Sequence, residues 1–326
     1  MDVRLSPEQL ALRDSAAHVV DRLGPHAVGQ LEDAERTAKL DAAIDASGWR
    51  ELRTATDSGE PWSSAVEVAL VAEELARGLV DAPFLGPSLA AELRRLAGAP
   101  PSSSTETVAL SSELGSLADP ATAIDTAGAR AALVVMDDHR LAEVPLSTTP
   151  SRVDLTRPSV AIDVSTAAPI DGSELTQEDL GRWTAFGLAL TSADLVGAMR
   201  GAVEAARDYA LERKQYGAAI GSFQAVQHLL ADAFVATEGS RSAALHAAWA
   251  VDALLPADAL AAGAVAKAYC ARAALTACET AIQVHGGIGN TWECVAHVYL
   301  RRALLATDVL GGVGPNLTRV LAHHGI

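Results

Sequence analysis

The residues best suited to chemistry lie in the run ERKQYGAAIGSFQAVQH, residues 212–228. Arg213 carries a planar guanidinium that can donate several hydrogen bonds to a phosphate. Ser222 and Phe223 open a predicted helix, and the free N–H groups and positive dipole end of a helix also favour an anion. A basic residue at a helix C-terminus often only offsets the helix dipole. The run therefore predicts either an anion site or an ordinary helix end.

A second run, QVHGGIGNTWE at residues 283–293, contains a glycine pair beside a histidine. Gly286 and Gly287 would let a backbone approach a ligand closely, and either could end a helix in the left-handed conformation. His285 is more often a hydrogen-bonded structural residue than a base. The glycine pair alone is therefore compatible with a binding site and with a simple helix cap.

The elements that position these runs fall into three regions. Residues 1–103 show helical periodicity, beginning with Ser6 as N-cap and Pro7 at the first helical position. Residues 104–178 contain the short alternating or β-branched runs TVALSS, AALVVMDD, RLAEVPL and SVAIDVS, which are typical of strands. Residues 179–326 are strongly helical again. The sequence thus predicts a mainly α fold with a small β domain between two helical domains.

The C-terminal region is predicted to be an antiparallel four-helix bundle, because its helices are long and their connections are short. The predicted helices cover residues 183–214, 222–254, 257–284 and 291–310. Gly286 and Gly287 end the third of them. The run VLGGVGPN, residues 309–316, is glycine-rich and is interpreted as a loop that follows the fourth helix.

The composition argues against several kinds of partner, site and location. The formal net charge of −16 argues against nucleic acid or an anionic membrane surface as a partner. Cys270, Cys278 and Cys294 lack CxxC spacing, which predicts buried thiols and neither disulfides nor a metal site. The polar, periodic N-terminus does not resemble a signal peptide, and the longest apolar stretch contains charged residues. We therefore expect a cytoplasmic protein.

Taken together, the two runs resemble the signatures of the acyl-CoA dehydrogenase family of flavoproteins. R-K-Q-Y-G-x-x-I-x-x-F-Q-x-x-Q from Arg213 to Gln227 is similar to one signature, and Q-V-H-G-G-I-G with T-W-E is similar to the other. Weaker similarity extends to ASGWREL and VALVAEELARG near the start and to RVDLTRPSVAIDV in the middle. The resemblance implies an N-terminal helical domain, a reduced middle β domain and a C-terminal four-helix bundle.

The resemblance also implies FAD as cofactor. One signature would contact the pyrophosphate and nucleotide of FAD, and the other would hold the same cofactor from the neighbouring subunit, as in a dimer of dimers. The implied FAD residues are Arg213, Gln215, Phe223 and Gln224 from the first signature and Gln283, Val284, His285, Gly286 and Gly287 from the second.

The catalytic base of the family is not matched. Many members carry a glutamate in the loop after the fourth bundle helix, and it removes the α-proton of an acyl-CoA thioester. The corresponding positions here are Leu310 and Gly311, so VLGGVGPN is interpreted as that loop without its base. Other members place the base on the second bundle helix, where this chain has Ala253 with Asp252 beside it.

Three carboxylates remain to be weighed. Asp252 and Asp308 are weak candidates for a base, and Asp252 is more simply a solvated helix end. Glu293 belongs to the G-x-G-x-x-x-E pattern of the family, in which it is structural. The middle region also lacks the family's T-E-P-x-x-G-S-D loop, which helps to enclose the flavin ring.

The chain keeps the two nucleotide-binding signatures but lacks the catalytic glutamate and the loop that encloses the flavin ring. In this combination it resembles the shortened, non-catalytic subunit of actinobacterial α2β2 steroid-type acyl-CoA dehydrogenases. The first hypothesis is such a subunit, working on an acyl-CoA in fatty-acid or steroid side-chain β-oxidation with a homologous catalytic subunit and an electron-transfer flavoprotein. The second is an active homotetramer that uses an atypical carboxylate. The third is a binding or structural protein without flavin, against which Arg213 and Gln283 argue.

Overall fold

The computed structural model describes residues 4–102, 104–146 and 150–326. The N-terminal part contains α1 (Pro7–Leu23), α2 (Ala34–Ala46), α3 (Ala65–Arg77) and α4 (Leu85–Leu96). The predicted start of α1 is confirmed, since the Ser6 side chain accepts a hydrogen bond from the backbone N–H of Gln9 and Gln9 bonds back to Ser6. The predicted domain ends at residues 103 and 178 stay predictions, and residue 103 itself lies outside the described ranges.

The middle part is a small mixed sheet. Its strands are β1 (Glu106–Leu110), β2 (Thr122–Ala123), β3 (Ala131–Val135), β4 (Leu141–Pro145), β5 (Val160–Ala161) and β6 (Ala168–Pro169). They lie in the order β5-β2-β1-β3-β4-β6, in which β1 and β3 are parallel and the other neighbours are antiparallel. The small β unit predicted between the helical regions is therefore confirmed.

The C-terminal part is a helical bundle formed by α5 (Gln177–Glu212), α6 (Gln224–Ala253), α7 (Pro256–His285) and α8 (Ala296–Asp308). Its interior is built largely from alanine, which lets the helices approach closely and costs little entropy in a helix. Gly197 and Gly201 on α5 face the backbone of α3, where a side-chain carbon would overlap the carbonyls of Glu73 and Arg77. The N-terminal helices are thus seated directly on the bundle.

Two sequence predictions about the end of the chain are wrong. The fourth bundle helix begins at Ala296 and not at Thr291, because residues 286–290 form a 3₁₀ turn that delays it. The run VLGGVGPN is a loop only at residues 309–312, since a further helix, α9 (Val313–His323), begins within it. The glycines and proline of this run concealed a helix whose first turn contains Pro315, a position that proline tolerates.

A buried ionic cluster joins the β unit to the bundle. Asp194 on α5 is fully buried and accepts hydrogen bonds from Arg157 Nη1 at 2.7 Å and from Arg302 Nη2 on α8 at 2.8 Å. Burial alone would raise the pKa of Asp194, but the two guanidinium groups hold it at about 2. Arg302 Nη1 also bonds the carbonyl of Val80 and the hydroxyl of Thr156, so one cluster links three parts of the fold.

Cys270, Cys278 and Cys294 are free and buried, as predicted. Over the described ranges, no group of three or more His, Cys, Asp or Glu side chains is arranged to hold a metal ion. No helix among those residues is long and apolar enough to cross a membrane.

Candidate functional site

The first run forms a tight hairpin between α5 and α6. After α5, β7 (Lys214–Gln215) pairs with β8 (Ala218–Ala219), and Tyr216 and Gly217 make the turn with φ of +51° and +80°. The backbone N–H of Ile220 donates to the carbonyl of Arg213 at 2.8 Å. The backbone of Arg213 is therefore fixed, while its side chain remains exposed.

The hairpin leaves donors free for an anion. In the described part of the chain, neither Arg213 nor Lys214 forms an ion pair, although the protein carries an excess of carboxylates. The next helix, α6, has Phe223 as its N-cap residue, and no side chain caps it. The first N–H groups of a helix need partners from outside the helix. The exposed arginine and the uncapped helix start thus provide a positive, donor-rich surface.

The second run follows α7. Gly286 ends this helix with φ of +66°, a conformation that favours glycine. A side-chain carbon built on Gly286 or Gly287 would meet nothing within 4 Å, so the backbone there borders open space. Gly289, in contrast, is buried against the carbonyl of Ile282. The first two glycines therefore leave backbone accessible to a ligand, and the third serves packing.

A ring contact brings the two runs to the same end of the bundle. Tyr209, in the last turn of α5, stacks on His285 with ring centroids 4.6 Å apart. His285 Nδ1 lies 2.7 Å from the carbonyl oxygen of Ala281. Burial would lower the pKa of His285, but its hydrogen bonds with Cys294 and Ala281 outweigh burial and raise it. His285 is thus held in place by a stacked ring and a helix carbonyl.

The predicted FAD residues differ in what they can offer. Val284 is buried and can contact a ligand only through its backbone, and His285 and Phe223 are partly exposed. The predicted residues with exposed side chains are Arg213, Gln215, Gln224 and Gln283. The FAD contacts of both runs, including the contribution of the second run from the neighbouring subunit, stay predictions; within one chain, the Tyr209–His285 contact places both runs at one end of the bundle.

The loop at residues 309–312 is tightly held. Each of its carbonyls accepts a side-chain hydrogen bond: Val309 from Lys267 Nζ at 2.8 Å, Leu310 from Arg319 Nη1 at 2.7 Å, and Gly311 and Gly312 from Asn316 Nδ2 at 2.7 and 2.9 Å. The three donors come from α7 and α9, and no pattern in the sequence connects them with this loop. These side chains therefore hold the backbone of the loop in one conformation.

Leu310 lies where the resemblance to the family predicts the base. It has φ of +62°, is 1% exposed, and donates its backbone N–H to the carbonyl of Leu114 at 2.7 Å. Its side chain packs so closely on Gly187 of α5 that a Cβ there would overlap it. Leu114 lies in the loop between β1 and β2, and both leucines belong to the main apolar core with Trp183. Leu310 is therefore enclosed by apolar side chains of the core.

The two weak candidates for a base lie elsewhere. The Asp252 carboxylate accepts hydrogen bonds from Arg53 Nη1 at 3.0 Å and from the backbone N–H of Ala65 at 2.6 Å, so it helps to cap α3. Asp308 is exposed at the end of α8. Glu293 is exposed in the segment before α8. These positions give Asp252 a structural role and leave Asp308 facing solvent.

Lys267 gives a pH-dependent prediction. This lysine is fully buried, and burial lowers its pKa to about 7. Above pH 7 the unfolded chain binds this proton and the folded chain does not, so stability should rise between about pH 7 and 8.5. The Lys267→Met variant should lack that rise, measured as the free energy of unfolding in urea at each pH. Lys39→Met, at an exposed site, is the control and should keep the wild-type slope.

The upper limit of that window has a physical cause. Burial raises the pKa of Cys270 and Cys278 to about 12, well above the ordinary thiol value. Above about pH 8.5 the unfolded chain therefore loses thiol protons that the folded chain keeps, and stability should fall again. An equal slope for wild type and Lys267→Met below pH 8.5 would contradict the assignment to Lys267.

The chain is similar to known proteins in both sequence and structure. The family described as acyl-CoA dehydrogenase, C-terminal domain, matches residues 185–322. The acyl-CoA dehydrogenase IpdE2 of Mycobacterium tuberculosis is 30% identical over 315 residues, which cover 91% of each chain. Among solved structures, the Tcur3481-Tcur3483 steroid ACAD has a TM-score of 0.81 at 20% identity, with 98% of each chain covered. The ChsE4-ChsE5 complex from Mycobacterium tuberculosis has a TM-score of 0.77 at 19% identity, covering 100% of this chain and 99% of that chain.

Proposed function

Because the chain belongs to the acyl-CoA dehydrogenase family, we propose that it is a flavoprotein subunit without a catalytic base of its own. It lends the nucleotide-binding end of its bundle to an FAD whose ring and acyl-CoA substrate are enclosed by a homologous partner. The product of the complex is an α,β-unsaturated acyl-CoA, and an electron-transfer flavoprotein accepts the electrons.

The burial of Leu310 carries this proposal. A general base has to reach the proton that it removes, within hydrogen-bond distance or through one water. At the base position this chain has a buried leucine, bonded through its N–H to Leu114 and packed on Gly187. Asp252 is engaged by Arg53 and by α3. The polar groups of a dehydrogenase site would therefore have to come from another chain.

The residues at the nucleotide end fit an FAD pyrophosphate. Arg213 offers an unpaired guanidinium, the start of α6 offers free N–H groups, and Gly286 and Gly287 offer accessible backbone. Gln224 and Gln283 add exposed amides that can bond a ribose or an adenine. When bound, FAD would accept a hydride from the acyl chain, whereas these residues would only hold and orient it.

Exposed apolar side chains on the bundle favour the proposal that the chain binds a partner protein. Phe234 and Val235 on α6 are 57% and 69% exposed, and Val265 and Tyr269 on α7 are 50% and 49% exposed. Where such side chains form a contiguous patch, they mark a protein interface. The related ChsE4-ChsE5 structure is described as a complex of two proteins. A heteromeric assembly with a catalytic relative is the partner that we propose, and an acyl-CoA with a bulky side chain is the proposed substrate.

The test uses the tagged chain purified from its own host, so that a partner is retained. Arg213→Ala should lower the flavin content of the complex about ten- to a hundredfold at limiting FAD, since a charge-assisted bond contributes about 1.5–3 kcal/mol. Arg207→Ala, at an exposed site near the end of α5, is the control and should retain flavin. Asp252→Asn should leave turnover of acyl-CoA nearly unchanged.

Two outcomes would overturn the proposal. Full flavin occupancy in the Arg213→Ala complex would remove the assignment of the pyrophosphate site. Bleaching of a flavin band in the isolated chain by an acyl-CoA under anaerobic conditions would show a self-sufficient enzyme. A chain that is colourless alone and yellow with its partner is the expected result.

A further inference from the structure

One of the three cysteines differs from the other two in its surroundings. Cys270 and Cys278 on α7 are 0% exposed, and burial raises the pKa of both thiols to about 12. Cys294 is 8% exposed and lies just before α8, directly after the exposed residues Trp292 and Glu293. Of the three, Cys294 is therefore the cysteine that keeps some contact with solvent.

Cys294 also has two neighbours of the kind that activate a thiol. The side chain of His285, at the end of α7, forms a hydrogen bond with the Cys294 side chain, and the backbone of Ala296, the first residue of α8, forms a second one. Burial would raise the pKa of Cys294, but the two hydrogen bonds outweigh burial and lower it. Reactive cysteines are typically found beside a histidine or at the N-terminus of a helix. Cys294 combines both features.

The ring of His285 is held so that it can take a proton. Its Nδ1 lies 2.7 Å from the carbonyl oxygen of Ala281, and a carbonyl oxygen can only accept, so Nδ1 carries a proton. Tyr209 stacks on the same ring, with centroids 4.6 Å apart, and fixes its plane. In the neutral imidazole the other nitrogen, Nε2, is then an acceptor. Such a base can remove the thiol proton of Cys294 and leave a thiolate beside an imidazolium.

We propose that Cys294 and His285 form a peroxide-reactive thiol site beside the nucleotide end of the bundle. The thiolate sulfur attacks one oxygen of hydrogen peroxide, so that an S–O bond forms and the O–O bond breaks. The sulfur is oxidised to a sulfenic acid and the peroxide is reduced. The hydroxide that is released takes the proton held by His285 and leaves as water. A sulfenic acid is reversible, so a thiol reductant restores the cysteine.

The experiment compares the three cysteines within one full-length chain. Folded protein at neutral pH is treated with hydrogen peroxide for increasing times, catalase stops the reaction, and the chain is unfolded in urea and alkylated with iodoacetamide. Mass spectrometry of the peptides then gives the fraction of each cysteine that no longer alkylates. Cys294 should be lost at least about tenfold faster than Cys270 and Cys278, because buried structural thiols are inert. A thiol reductant added before alkylation should recover it.

Variants of His285 test the contribution of the base. His285→Phe keeps an aromatic ring against Tyr209 and His285→Gln keeps a polar side chain, but neither can accept the thiol proton. Both should slow the oxidation of Cys294 at least about fivefold, since an ordinary thiol is only a few per cent thiolate at neutral pH. His246→Phe, at an exposed histidine of α6, is the control and should keep the wild-type rate.

Three results would overturn the proposal. The first is loss of Cys294 no faster than that of Cys270 and Cys278. The second is a wild-type rate in His285→Phe and His285→Gln proteins that circular dichroism shows to be folded. The third is an equal preference for Cys294 when peroxide is added in urea, where the fold no longer distinguishes the cysteines. None of these measurements depends on flavin content or turnover, so the proposal is tested separately from the proposed function.

Discussion

The Asp194→Asn variant is expected to lose about 3–5 kcal/mol of its free energy of unfolding at pH 7, the cost typical of breaking a buried ion pair. Asn has nearly the same shape as Asp, so packing is preserved and only the charge is removed. The loss is a large part of the 5–15 kcal/mol by which domains are commonly stable. Urea unfolding followed by circular dichroism measures it.

The size of this effect follows from what the substitution leaves behind. Arg302 is 1% exposed and the Arg157 side chain is 8% exposed, and both donate to the same carboxylate. Without the charge of Asp194, the two guanidinium groups would remain buried next to each other, and no carboxylate would lie between them. Asp125 and Asp154 lie near Arg157, but neither carboxylate accepts a hydrogen bond from its guanidinium. The remaining positive charges should therefore separate the β unit from α5 and α8.

Acid should remove the same stabilisation. The folded pKa of Asp194, about 2, lies below its ordinary value of 3.8. Its contribution is therefore complete above about pH 4 and is lost as the pH falls from about 4 towards 2. The difference between wild type and Asp194→Asn should shrink over that window.

The control for this prediction lies on the same helix. Asp208 pairs with its neighbour Arg207 at the surface, and both side chains are about 60% exposed. Exposed pairs contribute little, so Asp208→Asn should change stability by less than about 0.5 kcal/mol. A loss below about 1 kcal/mol for Asp194→Asn would show that the cluster is not the link described here.

What the sequence could predict was local or periodic. The capped start of α1 depends on residues three apart, and the long helices of the bundle depend on a repeating apolar pattern. The two signature runs could be matched because each is continuous in sequence. The hairpin at Tyr216 and Gly217 was not predicted, although it involves only neighbouring residues, because a tyrosine with positive φ is uncommon.

What the sequence could not predict depends on residues brought together by folding. Lys267 reaches the carbonyl of Val309 across 42 positions, and Arg53 meets Asp252 across 199. No periodicity or spacing encodes such pairs. The helix α9 was missed for a different reason, since glycine and proline in its first turn are usually signs of a loop. Its buried Asn316 is bonded to the preceding loop, so tertiary contacts support this helix start.

Placing glutamate at position 310 is expected to produce no dehydrogenase activity, although the resemblance to the family predicts the base at this position. Leu310→Glu should instead destabilise the chain by several kcal/mol or prevent folding. Part of the loss comes from removing a buried leucine, which typically costs about 2–5 kcal/mol. The rest comes from burying a carboxylate, which either stays neutral or opens the structure.

The surroundings of Leu310 explain why a carboxylate would gain nothing there. The apolar core that contains it includes Leu89, Trp183 and Phe186, none of which can donate to a carboxylate through a free group. The indole N–H of Trp183 is already donated to the carbonyl of Leu89 at 2.9 Å. Arg319 is close, but its Nη1 is engaged with the carbonyl of Leu310 and with Asn316 Oδ1. The carboxylate would therefore be cut off from solvent among apolar side chains, and to bond Arg319 it would have to break the contacts that hold this loop.

Matched variants separate shape from charge. Leu310→Met keeps the volume and should cost less than about 1.5 kcal/mol, whereas Leu310→Gln has the shape of glutamate without its charge and should fall between Met and Glu. Leu304→Glu, at a side chain of α8 that is 47% exposed, should have little effect. Turnover of an acyl-CoA by a folded Leu310→Glu protein would contradict the conclusion that position 310 lies in a closed apolar core and cannot carry a base. If the variant is inactive while Leu310→Met stays folded, a carboxylate placed at position 310 cannot act as a base within this apolar core.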